Sequence, residues 1–163
     1  MIILGIDPGT TSIGYALIKG KSGVKPRLLA ADIISITSSS RTDRLRELHQ
    51  HVSKLLDRWK PDVMAIERIF FAKNTKTALE VSEARGALLL TTTLAGITVY
   101  EYTPLEIKLV ITGDGRADKT QVKKMIRLTL PENANLKARD DVFDAIAIAL
   151  TFFFKEHKYH ISE

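Results

Sequence analysis

Three apolar segments near the start of the chain predict three consecutive strands. Residues 2–7 form a continuous apolar run that stops at Asp7, which is typical of a strand buried on both faces. A turn rich in glycine and threonine follows, and residues 13–19 and 27–36 have the composition of two further strands. Residues 20–26 contain two glycines and a proline, so they predict the loop that joins these two strands. Strands that follow one another through turns indicate an antiparallel meander.

The spacing of apolar residues then becomes helical. An amphipathic helix is predicted over about 41–59 by apolar residues that recur every three or four positions, namely Leu45, Leu48, Val52, Leu55, Leu56 and Trp59. Asp118 has the residue type of a helix N-cap, and Pro104 suits a first helical turn. The other predicted elements are strands over 62–67 and 97–102 and helices over 75–94, over 105–111, after Asp118, and from Asp140 into the 150s.

The order of these elements predicts an α/β fold. Strands that alternate with helices in the second half of the chain favour parallel pairing there, whereas the first three strands favour antiparallel pairing. We therefore expect a five-stranded mixed sheet with helices on both faces. A length of 163 residues is that of one ordinary domain, so residues 1–163 are expected to form a single domain.

Composition restricts the classes of function. Apolar residues make up 45% and charged residues 26% of the chain, and the absence of cysteine excludes disulfides and thiolate metal sites. No apolar run approaches the roughly 18–20 residues needed to cross a bilayer, and no secretory leader is visible, so we expect a cytoplasmic protein with no membrane association. The formal net charge of +5 is compatible with a polyanionic partner, although many basic proteins bind no nucleic acid.

Two acids stand where predicted strands leave the core. Asp7 ends the first strand, and Glu67 ends the strand "DVMAIE". A carboxylate beside a buried strand costs free energy unless hydrogen bonds, a cation or a metal ion compensates it. If the two strands are parallel neighbours, both acids lie at the carboxyl edge of the sheet, where α/β proteins place their sites. Either acid taken alone is explained as well by solvation of a strand end or by helix capping.

The final helix adds a second pair of acids. Asp141 and Asp144 in "DDVFDAIAIAL" are three residues apart and share one helix face, whereas Asp140 is expected to point elsewhere. Capping explains an acid at a helix start, but it does not explain Asp144, which is followed at once by apolar residues. Oxygen ligands without cysteine favour Mg²⁺ or Mn²⁺, and two such ions would activate water and stabilise the leaving oxygen of a phosphodiester.

The chain resembles the RuvC-type Holliday-junction resolvases of the ribonuclease H-like superfamily. The residues that carry the resemblance occur in family order over most of the chain, as "LGIDPGTTSIGYALI" (4–18), "PDVMAIERIFFAKNTKTALEVSEARGALL" (61–89), "VYEYTPLEIKLVITGDGRADKTQVKKMI" (99–126) and "DDVFDAIAIAL" (140–150). The resemblance implies a metal-dependent crossover junction endodeoxyribonuclease that makes paired nicks in strands of like polarity during recombination and repair. It also implies a homodimer, for which the helix over 75–94 is the expected element, and partnership with the RuvA–RuvB branch-migration complex.

The resemblance assigns roles to individual residues. The family's four metal-binding catalytic acids correspond to Asp7, Glu67, Asp141 and Asp144, with two ions, Mg²⁺ or Mn²⁺, per site; some members have histidine where this chain has Asp141. Lys108 and Lys119 match family positions near the scissile strand, where a lysine orients phosphate oxygens. The residues expected to contact DNA are Phe70, Phe71, Lys73, Asn74, Arg116, Lys123 and Lys124. One of the two phenylalanines would stack on an unpaired base, and the sequence does not distinguish between them.

Three other functions compete with this interpretation. "GIDPGTTS" also resembles the phosphate-binding turn of sugar kinases of the actin-like ATPase group, but that fold needs a second domain to close over ATP. An inactive junction-binding module would not require all four acids. A nuclease of ribosomal RNA precursors would share the first strand but lack "ERIFFAKN" and "DDVFDAIAIAL".

Overall fold

The strands and helices occur in the predicted order in the computed structural model, which describes residues 1–68 and 75–156. The strands are β1 (Ile2–Asp7), β2 (Ser12–Lys21), β3 (Val24–Ser35), β4 (Val63–Glu67) and β5 (Thr98–Tyr102). The helices are α1 (Arg41–Trp59), α2 (Thr75–Leu94), α3 (Pro104–Thr112), α4 (Lys119–Thr129) and α5 (Asp140–Glu156), with a 3₁₀ turn at Pro131–Asn133. None of the helices in the described ranges is long and apolar enough to cross a membrane.

The five strands form the predicted mixed sheet. Their order is β3-β2-β1-β4-β5, so β1 lies at the centre between an antiparallel half and a parallel half. β1 and β2 pair antiparallel, as do β2 and β3, whereas β4 is parallel to both β1 and β5. One apolar core joins the sheet to α3, α4 and α5, and the other joins its opposite face to α1 and α2. Helices therefore cover both faces, as predicted.

The loop predicted over 20–26 is wrong, because the hairpin between β2 and β3 is much tighter. β2 continues to Lys21 and β3 begins at Val24, and Gly23 between them adopts a positive φ of 74°. Glycine accepts this conformation without steric cost, so two residues are enough for the turn. Pro26 is tolerated within β3 because β3 is an edge strand and a proline there need not interrupt the ladder.

Two glycines allow α5 to lie directly against the sheet. A methyl group on Gly5 of β1 would overlap the backbone oxygen of Ala145 and would lie 2.8 Å from Cβ of Ala149. A methyl group on Gly14 of β2 would overlap the backbone carbonyl of Asp141. Distances this short leave no room for a side chain, so both positions require glycine. The close packing holds the first turn of α5 beside the carboxyl end of β1.

Candidate active site

The register of β1 and β4 places Asp7 and Glu67 side by side. Ile6 pairs with Ile66, and the next residue of each strand is the acid. Both isoleucines are fully buried in the core on the α1–α2 side of the sheet. Because side chains alternate along a strand, the two acids point to the other face, towards α5.

The first two turns of α5 bring a second pair of acids, Asp141 and Asp144, to this edge. Asp144 is partly buried, and its Oδ2 lies 3.4 Å from Nζ of Lys119. Asp141 accepts two hydrogen bonds at its Oδ2, from Oγ of Ser12 at 2.9 Å and from a guanidinium nitrogen of Arg139 at 3.1 Å. Ser12 is the first residue of β2, so Asp141 is connected to the strand that neighbours β1.

The electrostatics of the site show that the acids are close enough to interact. Burial, followed by the charges of Asp144, Glu67 and Asp141, raises the pKa of Asp7 to about 7. Burial is also the main reason that the pKa values of Glu67 and Asp144 are raised. Asp144 adds to the increase at Glu67, whereas Lys119 acts in the opposite direction on all three acids. A nearby cation stabilises the ionised form of carboxyl groups such as these.

A cavity of about 360 Å³ opens between these acids and helices α3 and α4. Its charged lining residues are Asp7, Glu67, Asp144, Lys108 and Lys119, and its apolar walls come from α3, α4 and α5. Both lysines are therefore placed with the strand-end acids. Lys119 is the first residue of α4, whose N-cap is Asp118 as predicted from the sequence.

Asp140 does not line the cavity, but it is connected to the site through Lys119, which the sequence did not predict. Its two carboxylate oxygens lie 3.3 Å from Nζ of Lys119 and 2.7 Å from Nζ of Lys123. Asp140 and Asp144 are four residues apart on α5, and residues at this spacing share a helix face as residues three apart do. Lys123 consequently pairs with an acid beside the site, and it also lies 5.3 Å from the centroid of the Phe143 ring.

The remaining predicted residues are exposed at or just before α4, or fall outside the described residues. Arg116 is exposed in the loop before α4, and Lys124 is exposed on α4. Phe70, Phe71, Lys73 and Asn74 fall outside the residues that the structure describes, so their predicted contacts with DNA stay predictions.

Sequence reasoning missed three residues that contact the predicted site residues. They are Ser12, Arg139 and Asp140. A weak signal was available for Arg139 and Asp140, because both precede Asp141 directly in the sequence. For Ser12 the signal was the short turn between the first two strands, which returns the chain to the strand end occupied by Asp7.

The four acids suit a hard divalent cation by their chemistry. Carboxylate oxygens are the ligands that Mg²⁺ and Mn²⁺ prefer, and none of the four positions carries a sulfur ligand. Across residues 1–68 and 75–156, no three acid or histidine side chains form a ready-made metal cluster. Lys119 instead donates to Oδ2 of Asp144, and Arg139 and Ser12 both donate to Oδ2 of Asp141. The donor set fits the ion by its chemistry, and the carboxylate oxygens would have to exchange these partners for the ion.

Comparison with known proteins identifies the family. The family model described as crossover junction endodeoxyribonuclease RuvC matches residues 3–152. The chain belongs to the RuvC family. The RuvC of Halothermothrix orenii is 44% identical over 153 residues, which cover 92% of this chain and 90% of that protein. The RuvC of Caldicellulosiruptor saccharolyticus is 42% identical, with 92% and 90% of the two chains covered.

Solved RuvC structures share the fold. A structure of Thermus thermophilus RuvC in complex with a Holliday junction substrate superposes with a TM-score of 0.87 at 34% identity, covering 98% of this chain and 96% of that one. The yeast mitochondrial Holliday junction resolvase Ydc2 has a TM-score of 0.72 at 17% identity, which supports the ribonuclease H-like fold alone. Membership of the RuvC family decides against the sugar-kinase and ribosomal RNA interpretations.

Proposed function

We propose that this chain resolves four-way DNA junctions by metal-dependent hydrolysis of phosphodiesters, with residues 1–163 acting as one nuclease domain. The paired nicks would lie in strands of like polarity and serve recombination and repair. The observation that carries the proposal is the cavity in which Asp7, Glu67 and Asp144 meet Lys108 and Lys119. Carboxylates held together in a basic protein are suited to metal-assisted attack on a polyanion.

The four acids are proposed to hold the metal. Asp7, Glu67, Asp141 and Asp144 would share two ions, Mg²⁺ or Mn²⁺. When bound, the ions supply an activated water and stabilise the leaving oxygen. The rest of the site contributes position and charge: Ser12 restrains Asp141, and Lys119 partly compensates the acids while no ion is bound.

The basic groups are proposed to hold the DNA. Lys108 and Lys119 line the cavity and would contact the scissile phosphate. Arg116 and Lys124 are exposed near α4 and would attract neighbouring phosphates without regard to sequence. Lys123 would attract phosphates more weakly, because its ammonium pairs with Asp140. Phe70, Phe71, Lys73 and Asn74 are proposed to contact the strand beside the cut.

A dimer is proposed because a junction has near two-fold symmetry and two of its strands must be cut. One face of α2 supports this, since Leu79, Leu90 and Leu94 are 58%, 61% and 74% exposed. Gly86 lies among them, and no atom of the described residues lies within 4 Å of an added methyl group, so its small size is not needed for packing against that part of the chain. An apolar face of this kind favours association with a second copy. RuvA–RuvB is proposed as the partner that moves the junction.

Cleavage of a synthetic four-way junction tests the proposal. Purified protein with Mg²⁺ should cut the junction at paired positions and leave a linear duplex of the same sequence intact. Asp144→Asn should lower the cleavage rate by at least about 100-fold, since removing one group that stabilises the transition state commonly costs this much. Binding of the junction should survive, because phosphate contacts and shape provide it.

A charge-matched control separates the site from net charge. Asp57→Asn removes one negative charge from the exposed surface of α1 and should leave cleavage unchanged. An active Asp144→Asn protein would remove that residue from the site. A wild-type protein that binds the junction without cutting it in Mg²⁺ or Mn²⁺ would instead support the inactive junction-binding module.

A further inference from the structure

The ammonium group of Lys119 lies between two carboxylates of α5. Its Nζ is 3.3 Å from Oδ2 of Asp140 and 3.4 Å from Oδ2 of Asp144. Asp144 lines the cavity, whereas Asp140 is absent from the cavity lining and stands one helical turn earlier, at the start of α5. Lys119 is thus shared almost equally between an acid inside the site and an acid beside it.

Asp140 is itself held in place by a second lysine. Its Oδ1 lies 2.7 Å from Nζ of Lys123, which is one turn after Lys119 on α4. The side chain of Lys123 is only 26% exposed, and its ammonium lies over the ring of Phe143. Lys123, which does not line the cavity, therefore helps to fix the orientation of the Asp140 carboxylate.

We propose that Asp140 is a positioning residue for Lys119, retaining its ammonium at the rim of the cavity when a divalent cation takes the oxygens of Asp144. This inference rests on the proposed function, in which Asp144 is a metal ligand. A cation at Asp144 and the Lys119 ammonium are like charges that compete for the same carboxylate oxygen. With Asp140 present, Lys119 keeps a carboxylate partner as it leaves Asp144, and it stays where a phosphate can meet it.

The consequence is that Asp140 lowers the cation concentration that the site needs. Of the two acids that pair with Lys119, only Asp144 remains if the carboxylate of Asp140 is removed. A cation that binds Asp144 must then displace the Lys119 ammonium from its last acid partner. Both side chains of the Asp140–Lys119 pair are at least half exposed, so the expected effect of losing it is a modest factor in metal affinity.

A double-mutant cycle with Mn²⁺ as the probe tests this role. The quantity measured is the Mn²⁺ concentration that gives half of the full metal-induced rise in melting temperature. Asp140→Asn should raise this concentration about twofold to fivefold. The same substitution in a Lys119→Met background should have an effect smaller by at least about twofold, because the competing ammonium is gone. Asp140→Glu should restore the wild-type value, since its carboxylate can still reach Lys119.

The controls distinguish positioning from a local effect on the helix. If Asp140 served only the first turn of α5, Asp140→Asn would change the metal-free melting temperature and would act equally in both backgrounds. Equal fold-changes in the two backgrounds overturn the proposal. Asp57→Asn should leave the half-rise concentration unchanged, and a change there as large as that of Asp140→Asn also overturns it. If Mn²⁺ fails to raise the melting temperature of the wild type, the proposed metal site is overturned and this inference with it.

Discussion

At the scale of single residues, the site contains carboxyl groups whose ionised form is made unfavourable by burial and by neighbouring acids. Asp7 ends a strand whose residues Ile3 to Ile6 are buried, and the pKa of its carboxyl is raised to about 7 by burial and by the neighbouring acids. Burial also raises the pKa values of Glu67 and Asp144, so the cost of ionisation is concentrated at acids that line the cavity. Asp141 accepts hydrogen bonds from Ser12 and Arg139.

The raised pKa of Asp7 predicts that stability falls as pH rises. Between its ordinary value of 3.8 and about 7, folded Asp7 keeps a proton that the unfolded chain has lost, so the free energy of unfolding decreases with pH across this window. Without metal, wild type should lose on the order of 2 kcal/mol more than Asp7→Asn between pH 5 and pH 8, about 4–8 °C in melting temperature. Thermal scans in a chelator would detect this, and parallel pH profiles of the two proteins would contradict it.

Two carboxyl groups whose pKa values are strongly lowered act outside this window. Hydrogen bonds from Ser38 and Thr37 hold the pKa of Glu47 at about 2, and hydrogen bonds from Thr103 and Lys155 hold that of Glu106 at about 2. Their contribution is complete above pH 4.5 and is lost only as pH falls towards 2. Their effect therefore has the opposite sign and lies at more acidic pH.

Divalent cations should offset the free-energy cost of ionising Asp7 in the folded protein. Mn²⁺ at 100 times its dissociation constant should stabilise the folded protein by about 2.7 kcal/mol, because it binds the assembled acids and not the unfolded chain. Asp7→Asn should show a clearly smaller rise in melting temperature, since one ligand is lost. Equal metal-induced shifts in the two proteins would mean that Asp7 is not a ligand and only ends its strand.

At the scale of elements, the site depends on how closely α5 lies on the sheet. α5 contributes Asp141 and Asp144, whereas Asp7 belongs to β1 and Glu67 to β4. Gly14 lets the backbone of Asp141 approach β2 without an intervening side chain. The separation between helix and sheet therefore determines the separation between the two pairs of acids.

Gly14→Ala should push the start of α5 away from the sheet. Overpacking of this kind typically costs 1–3 kcal/mol, so the melting temperature should fall by roughly 2–12 °C. Junction cleavage by the protein that remains folded should also fall, because the acids move apart. Gly115→Ala is a suitable control, since the three atoms nearest to its added methyl group all belong to the exposed side chain of Leu105, the first of them at 3.2 Å. Wild-type stability and cleavage in Gly14→Ala would contradict the proposed role of this packing.

At the scale of the whole molecule, the acids lie at one edge of the sheet, and helix α2 carries an exposed apolar face. The acids meet at the carboxyl ends of β1 and β4, on the side covered by α5, whereas α2 belongs to the opposite layer. Association through α2 would therefore leave the cavity of each copy accessible to DNA. This arrangement would allow one dimer to cut two strands of a junction.

The free protein should sediment at about twice the 18.2 kDa mass of the chain. Leu90→Lys on α2 should shift it towards the monomer, because a charge would be buried without a partner at the interface. Leu128→Lys on α4 replaces a leucine that is 65% exposed, close to the 61% of Leu90, and should leave the mass unchanged. A wild-type monomer at micromolar concentration, on junction DNA as well as free, would refute the dimer.

The sequence by itself determined the order of the elements and the strand-end positions of Asp7 and Glu67. Periodicity is a local property, so the apolar run before Asp7, the helical spacing over 41–59 and the N-cap at Asp118 could each be read without knowing the neighbours. The tight turn at Gly23 was missed, because proline and glycine signalled a loop while strand pairing extended β2 and β3 through them.

Only the tertiary structure decided which side chains support the acids. Ser12 lies 129 residues from Asp141 in the chain, and Lys119 lies 21 residues from Asp140. Such contacts depend on strand register and on the approach of α5 to the sheet, and neither is encoded in the spacing of apolar residues along one element. The acids could be predicted because each stands at the end or start of a recognisable element, whereas their hydrogen-bond partners are set by packing between elements.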